Sequence, residues 1–101
     1  MKLFEEYKEL ESKIPENLKN RIDINRLELK EDGTYLYRGD LNINYGKPKL
    51  TSLKVLGDIG ISEVGGSFNC DDNQLTSLEH CPSYVGGYFD CSGNQLTSLE
   101  H

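Results

Sequence analysis

The C-terminal part of the chain contains two nearly identical segments, and this repetition limits the possible folds more than any other feature. Residues 64–80 are VGGSFNCDDNQLTSLEH and residues 85–101 are VGGYFDCSGNQLTSLEH, so thirteen of seventeen aligned positions are identical at a period of 21 residues. A fixed period of about 20 to 29 residues is the signature of a solenoid, in which each repeat buries its apolar face only against its neighbours. The repeat therefore predicts a stack of similar units.

Each copy contains a short stretch in which apolar and polar residues alternate. In the segment SFNCD, Phe68 and Cys70 fall on one face of a strand and three polar residues fall on the other. Repeats stacked in parallel place their strands about 4.8 Å apart. We therefore expect Phe68 to lie beside Phe89, and Cys70 beside Cys91, in columns that no single repeat could bury.

The two copies share the pattern F-x-C-x-x-N-x-L-x-x-L, which resembles the repeat of the leucine-rich-repeat family, L-x-x-L-x-L-x-x-N-x-L. The resemblance covers residues 64–101 and departs at the first leucine. Gly65 and Gly86 stand there, so we expect Val64 and Val85, one position earlier, to supply that contact. The short repeat and the V-G-G and L-T-S-L phrases are similar to bacterial and bacteriophage repeat proteins.

Two asparagines, Asn73 and Asn94, follow the strands at the point where the chain turns. A buried amide at such a turn can bond backbone groups that strand pairing does not reach. The family resemblance implies that these side chains point inward. We therefore expect a structural ladder of asparagines rather than a ligand site.

A third, irregular copy precedes these two. Residues 39–43, GDLNI, match GSFNC at 66–70, and residues 50–53 repeat the phrase LTSL. This strand lies 27 residues before the next, so extra residues must be accommodated before LTSL and around 57–61. We expect these insertions to bulge from the stack, and we divide the repeats into 39–63, 64–84 and 85–101.

Residues 1–38 are expected to cap the first repeat. Apolar residues at helical spacing predict an amphipathic helix over 1–13 that ends before Pro15, and two alternating stretches around Asp32-Gly33 predict a β-hairpin. The expected fold class is thus α/β, a leucine-rich-repeat parallel-sheet stack with a helix and hairpin cap, in a single structural domain. The apolar helix positions are Leu3, Tyr7, Leu10 and Ile14.

Composition excludes several functions. The formal charge of -6 over 101 residues argues against binding nucleic acid or an anionic membrane surface. No apolar run approaches the roughly 18 residues of a membrane span, and a cytoplasmic location is expected. The three cysteines, Cys70, Cys81 and Cys91, have neither disulfide-framework nor zinc-site spacing. Adjacent His80 and Cys81, taken with His101, form an incomplete zinc set. We expect reduced thiols, no metal, no cofactor and no catalytic site.

The outward side of the strands is the remaining candidate for function. It combines carboxylates, amides and one tyrosine, which favours a protein-protein interaction module that binds a basic protein or peptide, as a bacterial or phage factor could. The alternatives are a nucleic-acid mimic, whose carboxylates imitate phosphates, and a face of ordinary solvated residues. The expected partner-binding residues are Asp40, Asn42, Asn44, Ser67, Asn69, Asp71, Tyr88, Asp90 and Ser92.

The last repeat is also expected to take part in self-association. Phe89, Leu96 and Leu99 would be exposed beside an unpaired strand, an arrangement that invites pairing with another chain. A homodimer joined two-fold through the C-terminal end is the simplest form. The alternatives are an array of repeats that continues in a longer chain and final residues that belong partly to a purification tag.

Overall fold

A computed structural model of the protein describes residues 4–44 and 49–96, and over these ranges it has a mixed α/β fold. Leu3, Leu99, His101 and the insertion expected just before Leu50 lie outside the described residues. The helices and strands are α1 (Phe4–Ser12), β1 (Leu27–Leu29), β2 (Tyr35–Tyr37), β3 (Leu41–Asn42), α2 (Lys54–Ile59), β4 (Ile61–Val64), β5 (Phe68–Asn69), β6 (Tyr84–Val85) and β7 (Phe89–Asp90).

The N-terminal helix and hairpin form as the sequence predicts. Leu10 on α1 and Ile14 in the turn after it are both buried. The chain then passes through two 3-10 turns, Glu16–Leu18 and Ile24–Arg26, and enters the hairpin. Strands β1 and β2 pair antiparallel. The turn between them places Gly33 at a φ of 86°, a left-handed conformation that glycine adopts without steric cost.

The described strands form two sheets. One has three parallel strands in the order β3-β5-β7, and its register places Phe68 opposite Phe89, as the repeat predicts. The other has four strands in the order β1-β2-β4-β6. In it the hairpin strand β2 pairs in parallel with β4, and β4 pairs in parallel with β6. Only the hairpin of this sheet was predicted, because β6 has two residues and the start of β4 lies in the segment 57–61, which the repeat pattern treats as an insertion.

The segment around residues 57–61 does not bulge from the fold, so that prediction is wrong. It forms the end of α2 and the start of β4, and Leu56, Ile59 and Ile61 are all buried. Leu53, Leu56 and Ile59 recur every three residues, which is close to one helical turn and puts them on one face. Gly60 ends the helix in the left-handed conformation, with its N–H donating to the Leu56 carbonyl at 2.8 Å.

The two V-G-G turns connect the sheets and need small residues because neighbouring backbones come very close. A Cβ atom on Gly66 would lie 2.7 Å from the Gly39 carbonyl carbon and closer still to the Asp40 carboxylate. A Cβ atom on Gly86 would collide with the carbonyl oxygen of Gly65. Neither turn uses positive φ, so the constraint is space rather than backbone conformation.

A single apolar cluster lies between the two sheets and reaches the N-terminal helix. Its largest fully buried member is Phe68, and Val64 and Cys70 are fully buried beside it. These side chains are buried against residues of other strands and helices, because a two-residue strand could not bury them alone. Other fully buried members are Leu18, Leu41, Ile43, Leu53, Leu56 and Leu75.

Candidate functional site

The outward face of the three-stranded sheet is built from three aligned strand segments. Backbone bonds from Leu41 to Ser67 (2.8 Å), from Phe68 to Tyr88 (2.8 Å) and from Cys70 to Asp90 (3.0 Å) fix their register. Because side chains alternate along a strand, the polar residues between the buried ones line up in three rows. The rows are Asp40, Ser67 and Tyr88; Asn42, Asn69 and Asp90; and Asn44, Asp71 and Ser92.

Eight of the nine expected site residues have side chains that reach solvent, and we call these eight the open face. Four are exposed and four are half-buried. Tyr88 is the most prominent, with 82% of its surface exposed. The exposed members are Asp40, Asn42, Tyr88 and Ser92, and the half-buried members are Ser67, Asn69, Asp71 and Asp90.

Asn44 is the exception, and its assignment to the partner-binding surface is wrong. The residue is only 7% exposed, and its Nδ2 donates to Oδ1 of Asp71 at 2.8 Å. The amide is thus turned toward the neighbouring strand, where it positions the Asp71 carboxylate and cannot reach a partner. Its own Oδ1 is buried without a hydrogen bond from any described residue.

Side chains of the first row also cap the backbone of the next strand. Oδ1 of Asp40 accepts from the Ser67 N–H at 2.8 Å, and Oγ of Ser67 accepts from the Tyr88 N–H at 2.9 Å. These two bonds close the gap that the V-G-G turns leave at the start of each strand. Sequence reasoning missed them, because it cannot show which backbone N–H groups remain open once strands stack.

The three carboxylates of the open face are each held by one oxygen. Asp40 and Asp71 use Oδ1 in the bonds just described, and Oδ1 of Asp90 accepts from the Ser92 N–H (3.0 Å) and from the Ser92 hydroxyl (2.7 Å). The bonds from Ser92 lower the pKa of Asp90, so this carboxylate is ionised at neutral pH. Within the described chain, no bond to Oδ2 and no ion pair occupies any of the three.

The asparagine ladder forms as predicted. Oδ1 of Asn73 accepts from the Leu50 N–H at 2.9 Å, and its Nδ2 donates to the carbonyls of Cys70 (3.0 Å) and Ile43 (3.2 Å). One repeat later, Asn94 makes the same set, accepting from the Leu75 N–H and donating to two cysteine carbonyls. These amides tie each repeat to the one before it and are not available to a ligand.

The three cysteines are free thiols, and the structure gives two of them little reactivity. Burial raises the pKa of the Cys70 thiol to about 12 and that of Cys81 to about 11. The thiolate is the nucleophile and metal ligand, and it is scarce at such values. Among the residues the structure describes, no group of three or more His, Cys, Asp or Glu side chains is placed to hold a metal ion.

A groove beside α1 is a second candidate site. It has a volume of about 420 Å³ and lies against the segment 19–26. Basic Lys19, Arg21 and Arg26 line it together with acidic Glu11 and Asp23. Because both signs of charge are mixed along this lining, the groove shows no clear preference for an anionic or a cationic ligand.

No family model matches the chain, and neither the curated proteins nor the solved structures include a match. Over residues 4–44 and 49–96, neither helix has the length and apolar character needed to cross a membrane.

Proposed function

We propose that the chain is a protein-interaction module of the leucine-rich-repeat type, which binds a basic protein or peptide on the open face. The proposal is supported by where the two near-identical copies differ. Of the four positions that are not identical, three are the outward pairs, and they read Ser67/Tyr88, Asn69/Asp90 and Asp71/Ser92.

The fourth differing pair has a structural explanation. Asp72 and Gly93 both adopt a left-handed backbone, with φ of 57° and 70°, which glycine and aspartate tolerate best. The apolar and asparagine side chains that pack or bond between the repeats are the same in both copies, namely Val64/Val85, Phe68/Phe89, Cys70/Cys91, Asn73/Asn94 and Leu75/Leu96. The residues that connect the repeats are thus constant, and the residues of the open face vary. This is the pattern expected of a scaffold that presents a specific binding surface.

The chemistry of the open face favours a cationic segment. Its three carboxylates are held in fixed orientations and pair with no cation among the described residues, and Tyr88 supplies an exposed aromatic ring beside them. Fixed acceptors lose little side-chain freedom when they bind, and tyrosine is enriched at the centres of interfaces. Lysine or arginine side chains from a partner would pair with the carboxylates and lie against the Tyr88 ring.

The nucleic-acid mimic remains a weaker alternative. Strand spacing puts the carboxylates of Asp71 and Asp90 about 8 Å apart and that of Asp40 more than about 11 Å from either. Neutral Asn and Ser side chains stand between them. A phosphate backbone requires closer and more regular charge.

A labelled peptide with lysine at alternate positions, titrated by fluorescence anisotropy, tests the proposal. We expect Tyr88→Ala to weaken binding more than tenfold and Asp90→Asn about two- to fivefold, since an exposed ion pair contributes up to about 1 kcal/mol. Added salt should weaken binding further.

Glu28→Gln is the matched control, because Glu28 is an exposed carboxylate on β1 in the other sheet and its replacement changes net charge equally. We expect no change in affinity for this variant. Equal losses for Glu28→Gln and Asp90→Asn would show that only net charge matters, and unchanged binding by Tyr88→Ala would remove the open face as the site.

A further inference from the structure

The last described repeat leaves one side of both sheets unpaired. Strand β7 is an edge of the three-stranded sheet, and β6 is an edge of the four-stranded sheet. Three of the four exposed large apolar side chains in the described chain, Tyr84, Tyr88 and Phe89, belong to this repeat. We call this surface, formed by the outer sides of β6 and β7, the repeat edge.

The interface one repeat earlier shows which contacts such a surface makes. Phe68 packs edge-on against Phe89, with ring centres 5.5 Å apart and ring planes at 70°. The Leu75 N–H donates to Oδ1 of Asn94 at 3.0 Å, and Nδ2 of Asn94 donates to the Cys70 carbonyl at 3.0 Å. The later repeat therefore supplies an aromatic ring and one asparagine that satisfies two backbone groups.

The same groups recur at the repeat edge, but among the described residues none contacts them from the outer side. Phe89 remains 39% exposed, although Phe68 in the equivalent position is fully buried. Of the described residues, only Asn94 of the same repeat donates to the Cys91 carbonyl, whereas two asparagines donate to the Cys70 carbonyl. No described residue accepts a hydrogen bond from the N–H of Cys91 or of Leu96.

We propose that the repeat edge binds a segment of a second chain that carries the same repeat motif, F-x-C-x-x-N-x-L, which adds one parallel strand to each sheet. Strand addition of this kind draws its affinity from main-chain bonds and its specificity from side-chain pockets. The inference rests on the repeat stack in the proposed function and does not depend on binding at the open face.

The parallel direction distinguishes this partner from a two-fold dimer of the folded chain. A two-fold axis would pair β7 with its own copy in antiparallel fashion, which does not place an asparagine between the Cys91 carbonyl and the Leu96 N–H. One contact differs from the internal interface. Tyr88 has no hydroxyl at the γ position, so the cap that Ser67 provides internally is absent here.

A labelled peptide of residues 62–78, titrated into the full chain under reducing conditions, tests the proposal. We expect saturable binding, and at least a tenfold loss when the peptide carries Asn73→Asp, which keeps the shape but removes the Nδ2 donor. Phe68→Ala in the peptide should cause a similar loss. Both changes are made in the peptide, so neither can unfold the protein.

Variants of the full chain locate the site. Phe89→Lys should abolish binding, because it removes the ring against which Phe68 of the peptide would pack. Tyr88→Lys adds the same charge at the next residue, but on the open face, and should stay within about threefold. Asp90→Asn should leave the repeat peptide unaffected while weakening the lysine peptide, which separates this proposal from the proposed function. The proposal would be overturned if the native and Asn73→Asp peptides bound equally well. It would also be overturned if light scattering showed the chain to be a dimer and the peptide did not bind to it.

Discussion

Replacing Asn73 with alanine should destabilise the protein far more than the same change one repeat later. Asn73 is only 3% exposed and serves both the Leu50 N–H and the carbonyl of fully buried Ile43. Each buried group left without a partner costs about 1 to 3 kcal/mol. The Cys70 carbonyl keeps a second donor in Asn94, so two groups lose their partner, and we expect a loss of about 2 to 6 kcal/mol.

Asn94→Ala is the internal comparison. It removes the partner of the Leu75 N–H and, among the described residues, that of the Cys91 carbonyl, while the Cys70 carbonyl retains Asn73. Asn94 and Cys91 are only half-buried, so water can satisfy part of what is lost. We therefore expect a loss of about 1 to 2 kcal/mol, against a total stability of about 5 to 15 kcal/mol for a chain of this length.

Urea unfolding followed by circular dichroism measures both changes. The slope of unfolding free energy against urea should stay constant, so the shift of the midpoint reports stability alone. Equal losses of unfolding free energy in the two variants, or a loss below about 0.5 kcal/mol for Asn73→Ala, would show that the ladder does not stabilise the fold as its hydrogen bonds indicate.

Two further predictions concern the core. Leu75→Ala should lower the unfolding free energy by about 2 to 5 kcal/mol, because Leu75 is fully buried and its truncation leaves a cavity. A loss under about 0.5 kcal/mol in the same urea assay would contradict the stacking register. Stability should fall as pH rises above about 9 toward 12, because burial raises the pKa of the Cys70 thiol to about 12 and also raises that of Tyr37, so the folded state binds more protons than the unfolded state. Urea midpoints at pH 8 and pH 10 check the sign, and Cys70→Ala should reduce the dependence.

The sequence predicted those parts of the fold that depend on patterns within one repeat. Alternation places Phe68 and Cys70 inside, and the 21-residue period gives the pairing of Phe68 with Phe89. Helical spacing and the Asp32-Gly33 turn likewise gave α1 and the hairpin. Each of these follows from local geometry, since a side-chain period fixes the face and a repeat period fixes the register.

What the sequence did not predict depends on how segments meet in space. Helix α2 was missed because the repeat frame treats extra residues as an insertion, although those residues carry an apolar face of their own. Asn44 continues the outward alternation of its strand, yet a hydrogen bond to Asp71 draws it inside. Alternation along a strand predicts on which side of the sheet a side chain starts. It does not predict to which neighbouring residue that side chain bonds.

The division of labour within each repeat explains how the open face could change without loss of the fold. Phe, Cys, Asn and Leu make the contacts between repeats, and they are identical in the two copies. Among the outward pairs, two residues also bond to a neighbouring repeat: the Ser67 hydroxyl accepts from the Tyr88 N–H, and the Asp71 carboxylate accepts from the Asn44 amide. Tyr88 itself stands in the last described strand, where no described strand needs that cap. A large aromatic ring is therefore compatible with the stack at this position, and a serine is needed one repeat earlier.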